Sequence, residues 1–374
     1  MTIVFYTSGH GFGHASRDIE VINAIIIKRP GTRIVARTSV PRWFFERSVR
    51  GPIDLQPAEV DSGVVQIDSL HLDEDETARR AARFYTDFDR RVKGEAALLK
   101  AVGATVIVGD VPPLAFAASR LTGIPSVALA NFTWDWIYET YPQFERLAPG
   151  VLALIRNAYR CTTHALRLPL SGGFQPMAAV TRNVPLIARR SKLGRADARR
   201  AMALEGDVPI VLASFGGHDS GLRYDDVARN TLFTLVTTDY EMPEVPAAAG
   251  RLRRFTSELL ADRRLQYEDL VAASDVVVTK PGYGIVSECI ANGPALLYTS
   301  RGRFAEYDLL VAEMPRVLRC RYIPQEDLRT GRWADAVTGV LQQPPPPATL
   351  DVDGAAVVAD QILEIADCRL QIAD

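Results

Sequence analysis

DVVVTKPGYGIVSECIANGPALLYT, Asp275 to Thr299, reads as four consecutive pieces. DVVVTK is a short β-branched run of the kind that forms a strand buried on both faces. Lys280, Pro281, Gly282 and Gly284 then make a tight turn, and Ile285 to Asn292 fits a helix ended by Gly293 and Pro294. A second apolar run, PALLYT, follows at once. Strand, glycine turn, helix and strand form the repeating unit of a parallel sheet covered by helices.

Runs of the same kind recur on either side. TIVFYT, RIVART, TVIVGD and PSVALA lie in the first half of the chain, and PIVLAS precedes the quoted stretch in the second. Between the two sets, Arg182 to Met202 opens with a proline-containing turn and becomes a strongly basic, helix-prone segment, the candidate linker. The chain has 374 residues, enough for two domains that each bury a core. The expected fold class is α/β, with two doubly wound parallel-sheet, Rossmann-like domains over residues 1–185 and 186–343. These are expected to face each other across a cleft, with ligands at the carboxyl ends of the strands. Residues 344–374 hold the break Pro344 to Pro347 and a final helix from Val352 to Ala373. That helix either returns to the first domain or caps the second.

Composition narrows the function classes. With 47% hydrophobic and 24% charged residues and a formal charge of −2, the chain lacks the basic excess of a nucleic-acid binder. No apolar run reaches the length of a membrane span, and Met1 leads straight into a strand rather than a secretion signal. The expected location is cytoplasmic. Cys161, Cys289, Cys320 and Cys368 are too scattered for metal-ligand spacing or a disulfide framework, so they are expected to be reduced and mostly buried, and no metal site is expected.

The second glycine-rich turn is GHGFGHASR, Gly9 to Arg17, where the first strand meets the first helix. A dinucleotide fingerprint needs G-x-G-x-x-G, but its last position falls on His14 counted from Gly9 and on Ser16 counted from Gly11. RIVART also lacks the terminal acid that would hold a ribose, so a nicotinamide or flavin cofactor is disfavoured. What remains is a turn whose glycines, Gly11 and Gly13, let another molecule approach the backbone, with His10 and His14 beside it. A histidine there suits a general base, and TVIVGD ends at Asp110, which would fix its tautomer. The competing reading makes His14 a helix cap and Asp110 the start of the turn at Val111, Pro112 and Pro113.

In the quoted stretch, the helix amino end at Gly282, Tyr283, Gly284 and Ile285 is a ready anion site, with Lys280 adding positive charge and Ser287 nearby. Glu288 lies one turn in, where a carboxylate reaches sugar hydroxyls rather than a phosphate; the alternative is a complement to the helix dipole. The combination suits a nucleoside diphosphate, with the ribose on Glu288 and the pyrophosphate at Gly282 to Ile285, and the Gly216-Gly217 turn, between Phe215 and His218, would face that pyrophosphate. Glu306 and Asp308, in RGRFAEYD, could accept hydrogen bonds from a donor sugar. Leu296 stands eight residues after Glu288, so the paired-glutamate pattern of many retaining glycosyltransferases is missing. Trp134 and Trp136, in NFTWDWIY, offer aromatic faces to an acceptor or simply fill the core. Of the basic segment with Arg182, Arg189, Arg190, Lys192, Arg195, Arg199 and Arg200, one arginine could reach a diphosphate while the rest are solvated.

These residues resemble the GT-B glycosyltransferases, which have two such sheet domains, a GH turn after the first strand and a glycine turn like GYGIVSE in the second. More closely, the chain resembles the glycosyltransferase-like amino-terminal half of plant-type arabinokinases and their bacterial stand-alone relatives. The passages are GHGFGHASR, DSGVVQIDSL (Asp61 to Leu70), IVGDVPPLA, GIPSVALANFTWDWIY, KPGYGIVSE and RTGRWADAV (Arg329 to Val337). The kinase domain of arabinokinase has no counterpart here, so sugar kinase activity is not implied. In inverting GT-B enzymes the histidine of the GH turn removes the acceptor proton with an aspartate behind it, which implies those roles for His14 and Asp110. The enzyme that adds N-acetylglucosamine to the peptidoglycan lipid precursor has a GALTVSE turn whose glutamate holds the ribose, which implies that role for Glu288. Its pair of glutamines at the donor sugar is replaced here by Glu306 and Tyr307.

The resemblance implies a metal-independent, inverting glycosyltransferase that uses a nucleoside diphosphate sugar of the UDP or dTDP type as co-substrate, with no further cofactor, and a small-molecule acceptor. His14, Asp110 and His10 are the catalytic candidates. Gly216, Gly217, Lys280, Gly282, Tyr283, Gly284, Ile285, Ser287, Glu288 and Glu306 are expected on the donor side, and Gly11, Gly13, Arg17, Asp61, Trp134 and Trp136 on the acceptor side. Two other functions fit the same architecture. A nucleotide-sugar epimerase or phosphorylase would enlist Asp61, Glu59 or Glu306, and a non-catalytic nucleotide-sugar sensor would bind donor without turnover.

Overall fold

A computed structural model of the chain describes residues 1–68, 70–215, 222, 227, 232–238 and 251–373. Contacts divide it into two compact units, one of Met1–Val65, Asp73–Ala188 and Asp351–Asp374, the other of Gln66–Leu72 and Arg189–Leu350.

The first unit is built on seven strands: β1 (Thr2–Thr7), β2 (Arg33–Thr38), β3 (Asp54–Pro57), β4 (Val106–Asp110), β5 (Ser126–Ala130), β6 (His164–Arg167) and β7 (Thr181–Asn183). Their order is β3-β2-β1-β4-β5-β6-β7, and every neighbouring pair is parallel. β1 lies at the centre, and its six residues, TIVFYT, are all buried because helices cover both faces. From β1 the chain winds outward through β2 and β3, then crosses back to β4 and winds the other way. The gap between the carboxyl ends of β1 and β4 is therefore the topological switch point, where open α/β sheets bind ligands.

The second unit repeats this plan with β8 (Ile210–Ala213), β9 (Thr234–Thr237), β10 (Leu252–Arg254), β11 (Val276–Thr279), β12 (Ala295–Tyr298) and β13 (Cys320–Tyr322). The order is β10-β9-β8-β11-β12-β13, again parallel throughout. Its switch point lies between β8 and β11. KPGYG follows β11, and the helix Tyr283–Asn292 runs from it to the Gly293-Pro294 stop.

The final helix, Gly354–Ala373, packs on the first unit rather than capping the second. Val358, Ala359, Ile362 and Ala366 join Ile19, Ile22 and Ile25 of the helix Phe12–Lys28 in one core. Each of the valine and isoleucine side chains among them contributes roughly 1.5–3 kcal/mol when fully buried. Only glycine fits at its start, since a Cβ on Gly354 would lie 2.3 Å from the Pro185 carbonyl oxygen. Lys28 with Asp360 and Arg29 with Asp367 add exposed ion pairs along the seam.

The basic segment is more built-in than its charge suggests. Its first residues form β7, and its helix, Arg195–Met202, is tied down by Arg199, which donates to the Ala273 carbonyl and pairs with Asp275 at 2.7 Å. The four cysteines are free thiols. Cys289 and Cys320 are buried, whereas Cys161 is half-buried and Cys368 exposed, so burial holds for two of the four. Among the described residues no helix is long and apolar enough to cross a membrane.

Candidate active site

At the first switch point, Thr7 pairs with Asp110 across β1 and β4, and the Ser8 amide donates to the Asp110 carbonyl at 2.9 Å. The chain then turns through Gly11, at φ 76° the N-cap of the helix Phe12–Lys28, a conformation glycine adopts without strain. Helical spacing puts His14, Arg17 and Asp18 on one face of that helix. That face meets β4.

His14 Nδ1 lies 2.9 Å from Asp110 Oδ1. Arg17 donates from Nε to Asp110 Oδ2 at 2.8 Å and from Nη2 to Oδ1 at 2.6 Å, while its Nη1 donates to Asn131 Oδ1. His14, Arg17, Asp110 and Asn131 are all buried. Burial pushes the Asp110 carboxyl up, but Arg17 and then His14 outweigh it and hold it below the usual carboxylate range. An ionised Asp110 accepts from Nδ1–H, so the basic nitrogen of His14 is Nε2, to which no described residue is hydrogen-bonded. Behind the pair, burial and then the Asp110 charge push Asp18 well up. Its Oδ2 accepts a 2.5 Å hydrogen bond from Thr7.

Asp61 and Trp134 stand beside this pair. Trp134 is buried, donates from Nε1 to Asp61 Oδ2 at 2.9 Å, and lies 6.4 Å from the His14 ring between centroids. Burial raises the Asp61 carboxyl, against the Ser8 hydrogen bond, the His14 charge and the Trp134 indole. His10 packs edge-on against Trp134 at 5.6 Å, and its Nδ1 accepts from the Val64 amide. With Nδ1 occupied in this way, His10 is the weaker choice for the base.

At the second switch point, Gly282 caps the helix Tyr283–Asn292 in an extended conformation, no side chain caps the amino end, and no acid lies in the first turn. The first-turn amides, including those of Gly284 and Ile285, have no partner within the helix. Lys280 Nζ donates to Gln66 Oε1 at 3.4 Å. Burial, then the nearby Arg301 guanidinium, push the Lys280 amine down to about 7. Arg301 is buried over the Phe304 ring, donates to the Pro281 carbonyl at 3.0 Å and pairs with Glu306 at 3.5 Å. Glu288 is buried one turn into the helix, where Arg189 Nε donates to its Oε1 at 2.7 Å.

The structure thus brings His14, Asp110, Asp61 and Trp134 together, and separately Lys280, Gly282, Tyr283, Gly284 and Ile285, with Ser287 and Glu288 buried behind them. Arg17 does not face a ligand side; its guanidinium is committed to Asp110 and Asn131. Trp136 stands apart from Trp134, its indole so close over Gly172 that a Cβ there would lie 2.3 Å away. Gly13 is exposed in the first helical turn. Glu306 is engaged by Arg301, and Gly216 and Gly217 lie outside the described residues. Sequence reasoning passed over Asn131, Asp18, Arg301 and the specific use of Arg189. The i, i+3 spacing of His14 and Arg17 was the available signal that both would reach Asp110. Among the described residues no three His, Cys, Asp or Glu side chains are grouped so as to hold a metal ion.

No protein-family model matches the chain. It is 29% identical over 350 residues to L-arabinokinase of Arabidopsis thaliana, a match covering 89% of this chain and 31% of that protein. The chain therefore spans about a third of that relative's length. Among solved structures, the spinosyn rhamnosyltransferase SpnG superposes with a TM-score of 0.60 at 14% identity, covering 98% of this chain and 96% of the other. The glycosyltransferase of kitacinnamycin gives 0.59 at 16%, covering 98% and 95%. UGT2 of Phytolacca americana, solved with UDP-2-fluoro-glucose and pterostilbene, gives 0.58 at 12%, covering 98% and 94%. With two all-parallel α/β units and these likenesses, the chain has the two-domain fold of the GT-B glycosyltransferases and is similar over most of its length to part of an arabinokinase.

Proposed function

We propose that the protein transfers a glycosyl group from a nucleoside diphosphate sugar, of the UDP or dTDP type, to a small-molecule acceptor, with inversion and without a metal ion. The observation that carries this reading is the buried His14–Asp110 pair at the first switch point, 2.9 Å apart, with Nε2 of His14 uncommitted. His14 Nε2 takes the proton of the acceptor hydroxyl as that oxygen attacks the anomeric carbon. The bond from that carbon to the diphosphate oxygen breaks, and the nucleoside diphosphate leaves with the electron pair. Asp110 stabilises the imidazolium that forms, as in other base–carboxylate pairs. The amides of Gly282 to Ile285 and the Lys280 amine stabilise the departing phosphate, and Glu288 takes the ribose.

A thermal-shift panel of nucleoside diphosphates and their sugars identifies the donor, and release of free nucleotide with candidate acceptors measures transfer. Stabilisation by none of them contradicts the reading. A second reading, epimerisation of a nucleotide sugar, draws on the nearness of Asp61 to His14, an acid and a base in one place. It predicts a changed sugar from donor alone, with no acceptor added.

A further inference from the structure

Arg189 opens the longer segment of the second unit, and its side chain is held by more than one contact. Nε and Nη2 both reach Oε1 of Glu288, at 2.7 and 2.5 Å. Its guanidinium lies 5.0 Å over the Tyr267 ring, and the Tyr267 hydroxyl is 2.7 Å from Ser214 Oγ at the end of β8. Its main chain is fixed too, because Asn292 Nδ2 donates to the carbonyls of both Arg189 and Glu288. The other arginines of the basic segment are used differently: Arg195 and Arg199 pair with Asp275, and Arg200 with Asp197.

A guanidinium fork normally meets a carboxylate with one nitrogen on each oxygen. Here both nitrogens converge on Oε1, and among the described residues no donor is bonded to Oε2. We propose that Arg189 is a positioning residue for nucleotide recognition, holding one oxygen of Glu288 so that the other, Oε2, is presented to a ribose hydroxyl of the nucleoside diphosphate. This rests on the reading of Glu288 as the ribose acceptor.

Arg189 also matters for the charge on that acceptor. Burial pushes the Glu288 carboxyl up, Arg189 pulls it down, and Glu268 pushes it up again. The other titratable neighbours are Tyr267 and Cys289, both kept neutral by burial. Without Arg189, nothing cationic in this set opposes protonation of Glu288, and a protonated acid accepts hydrogen bonds poorly.

The test measures binding of UDP, GDP and their 2′,3′-dideoxy forms, which lack both ribose hydroxyls, to the full chain by calorimetry between pH 6 and 9. The wild type is expected to prefer the ribose form by about tenfold or more at every pH, the worth of a hydrogen bond to a charged acceptor. In Arg189→Gln that preference is expected to vanish near pH 6 and to return as pH rises and Glu288 ionises. Arg189→Lys, which keeps the charge without the fork, is expected to retain a smaller preference that does not depend on pH, and it stands in if the glutamine variant fails to fold. A ribose preference in Arg189→Gln equal to that of the wild type at all pH values overturns the role of Arg189, as does a strongly pH-dependent preference in Arg189→Lys. A wild type that binds ribose and dideoxyribose forms equally, or neither, overturns the reading of Glu288 itself.

Discussion

At the carboxyl end of β4 a carboxylate is buried between an arginine and a histidine; at the carboxyl end of β11 a half-buried lysine lies near a buried arginine. Both positions are switch points of parallel sheets with the same winding, β3-β2-β1-β4 in one unit and β10-β9-β8-β11 in the other. At the first, opposite charges offset one another, and what remains is an imidazole nitrogen to which no described residue is hydrogen-bonded. At the second, two cations lie near a helix amino end, an arrangement that favours an added anion. The sheet supplies the crevice in each case, and a few side chains decide whether it handles a proton or a phosphate.

The largest effect that would break this contrast concerns the imidazole. His14→Ala is expected to lower glycosyl transfer, followed as nucleotide release with the donor identified by the thermal-shift panel, by about 10²–10⁴-fold, the usual worth of a general base. Retained turnover would place the base elsewhere, with His10 the first candidate. Asp110→Asn leaves the buried Arg17 guanidinium without its carboxylate. Removing one partner of a buried pair costs roughly 3–5 kcal/mol, visible as a lowered urea midpoint, whereas an unchanged midpoint would mean that Arg17 is satisfied by Asn131 alone.

Smaller effects sharpen the comparison. Trp134→Phe keeps an aromatic ring but deletes the hydrogen bond to buried Asp61 and leaves part of the indole's space empty, and is expected to cost at least about 1–3 kcal/mol in chemical unfolding. Lys280 provides the pH signature of the second site. In the unfolded chain its amine stays protonated up to about 10.5, while in the folded protein it loses the proton above about 7. The unfolded state therefore binds more protons across that window, so this group makes the protein less stable as pH falls from about 10.5 to 7, with its full cost below that. Lys280→Met should flatten that slope. A bound diphosphate favours the charged amine, so nucleotide binding at pH 8 should take up a proton in the wild type and not in Lys280→Met. Calorimetry in buffers of different ionisation enthalpy reads this directly.

The sheet centres were legible in the sequence and the edges were not. TIVFYT, TVIVGD and DVVVTK each carry an unbroken apolar stretch because both faces are covered, so each stands out from its surroundings. DLQP, HALR, TRN, LRR and CRY, which form β3, β6, β7, β10 and β13, are short and partly polar, and nothing local separates them from loops. In the sites, His14 and Asp110 were legible because each follows a central strand at its carboxyl end. The partnership of Arg189 and Glu288 was not, because it joins residues 99 apart through folding of the basic segment onto a helix. Arg17 was expected on the acceptor side; its helical position turns its guanidinium inward, onto Asp110.

The central claim is a division of labour, proton transfer at His14 and nucleotide binding at Glu288. Titration of UDP and dTDP into the wild type, His14→Ala and Glu288→Ala by calorimetry tests it most directly. The account predicts wild-type affinity in His14→Ala and at least about tenfold weaker binding in Glu288→Ala. Equal weakening in both variants, or none in Glu288→Ala, would contradict it.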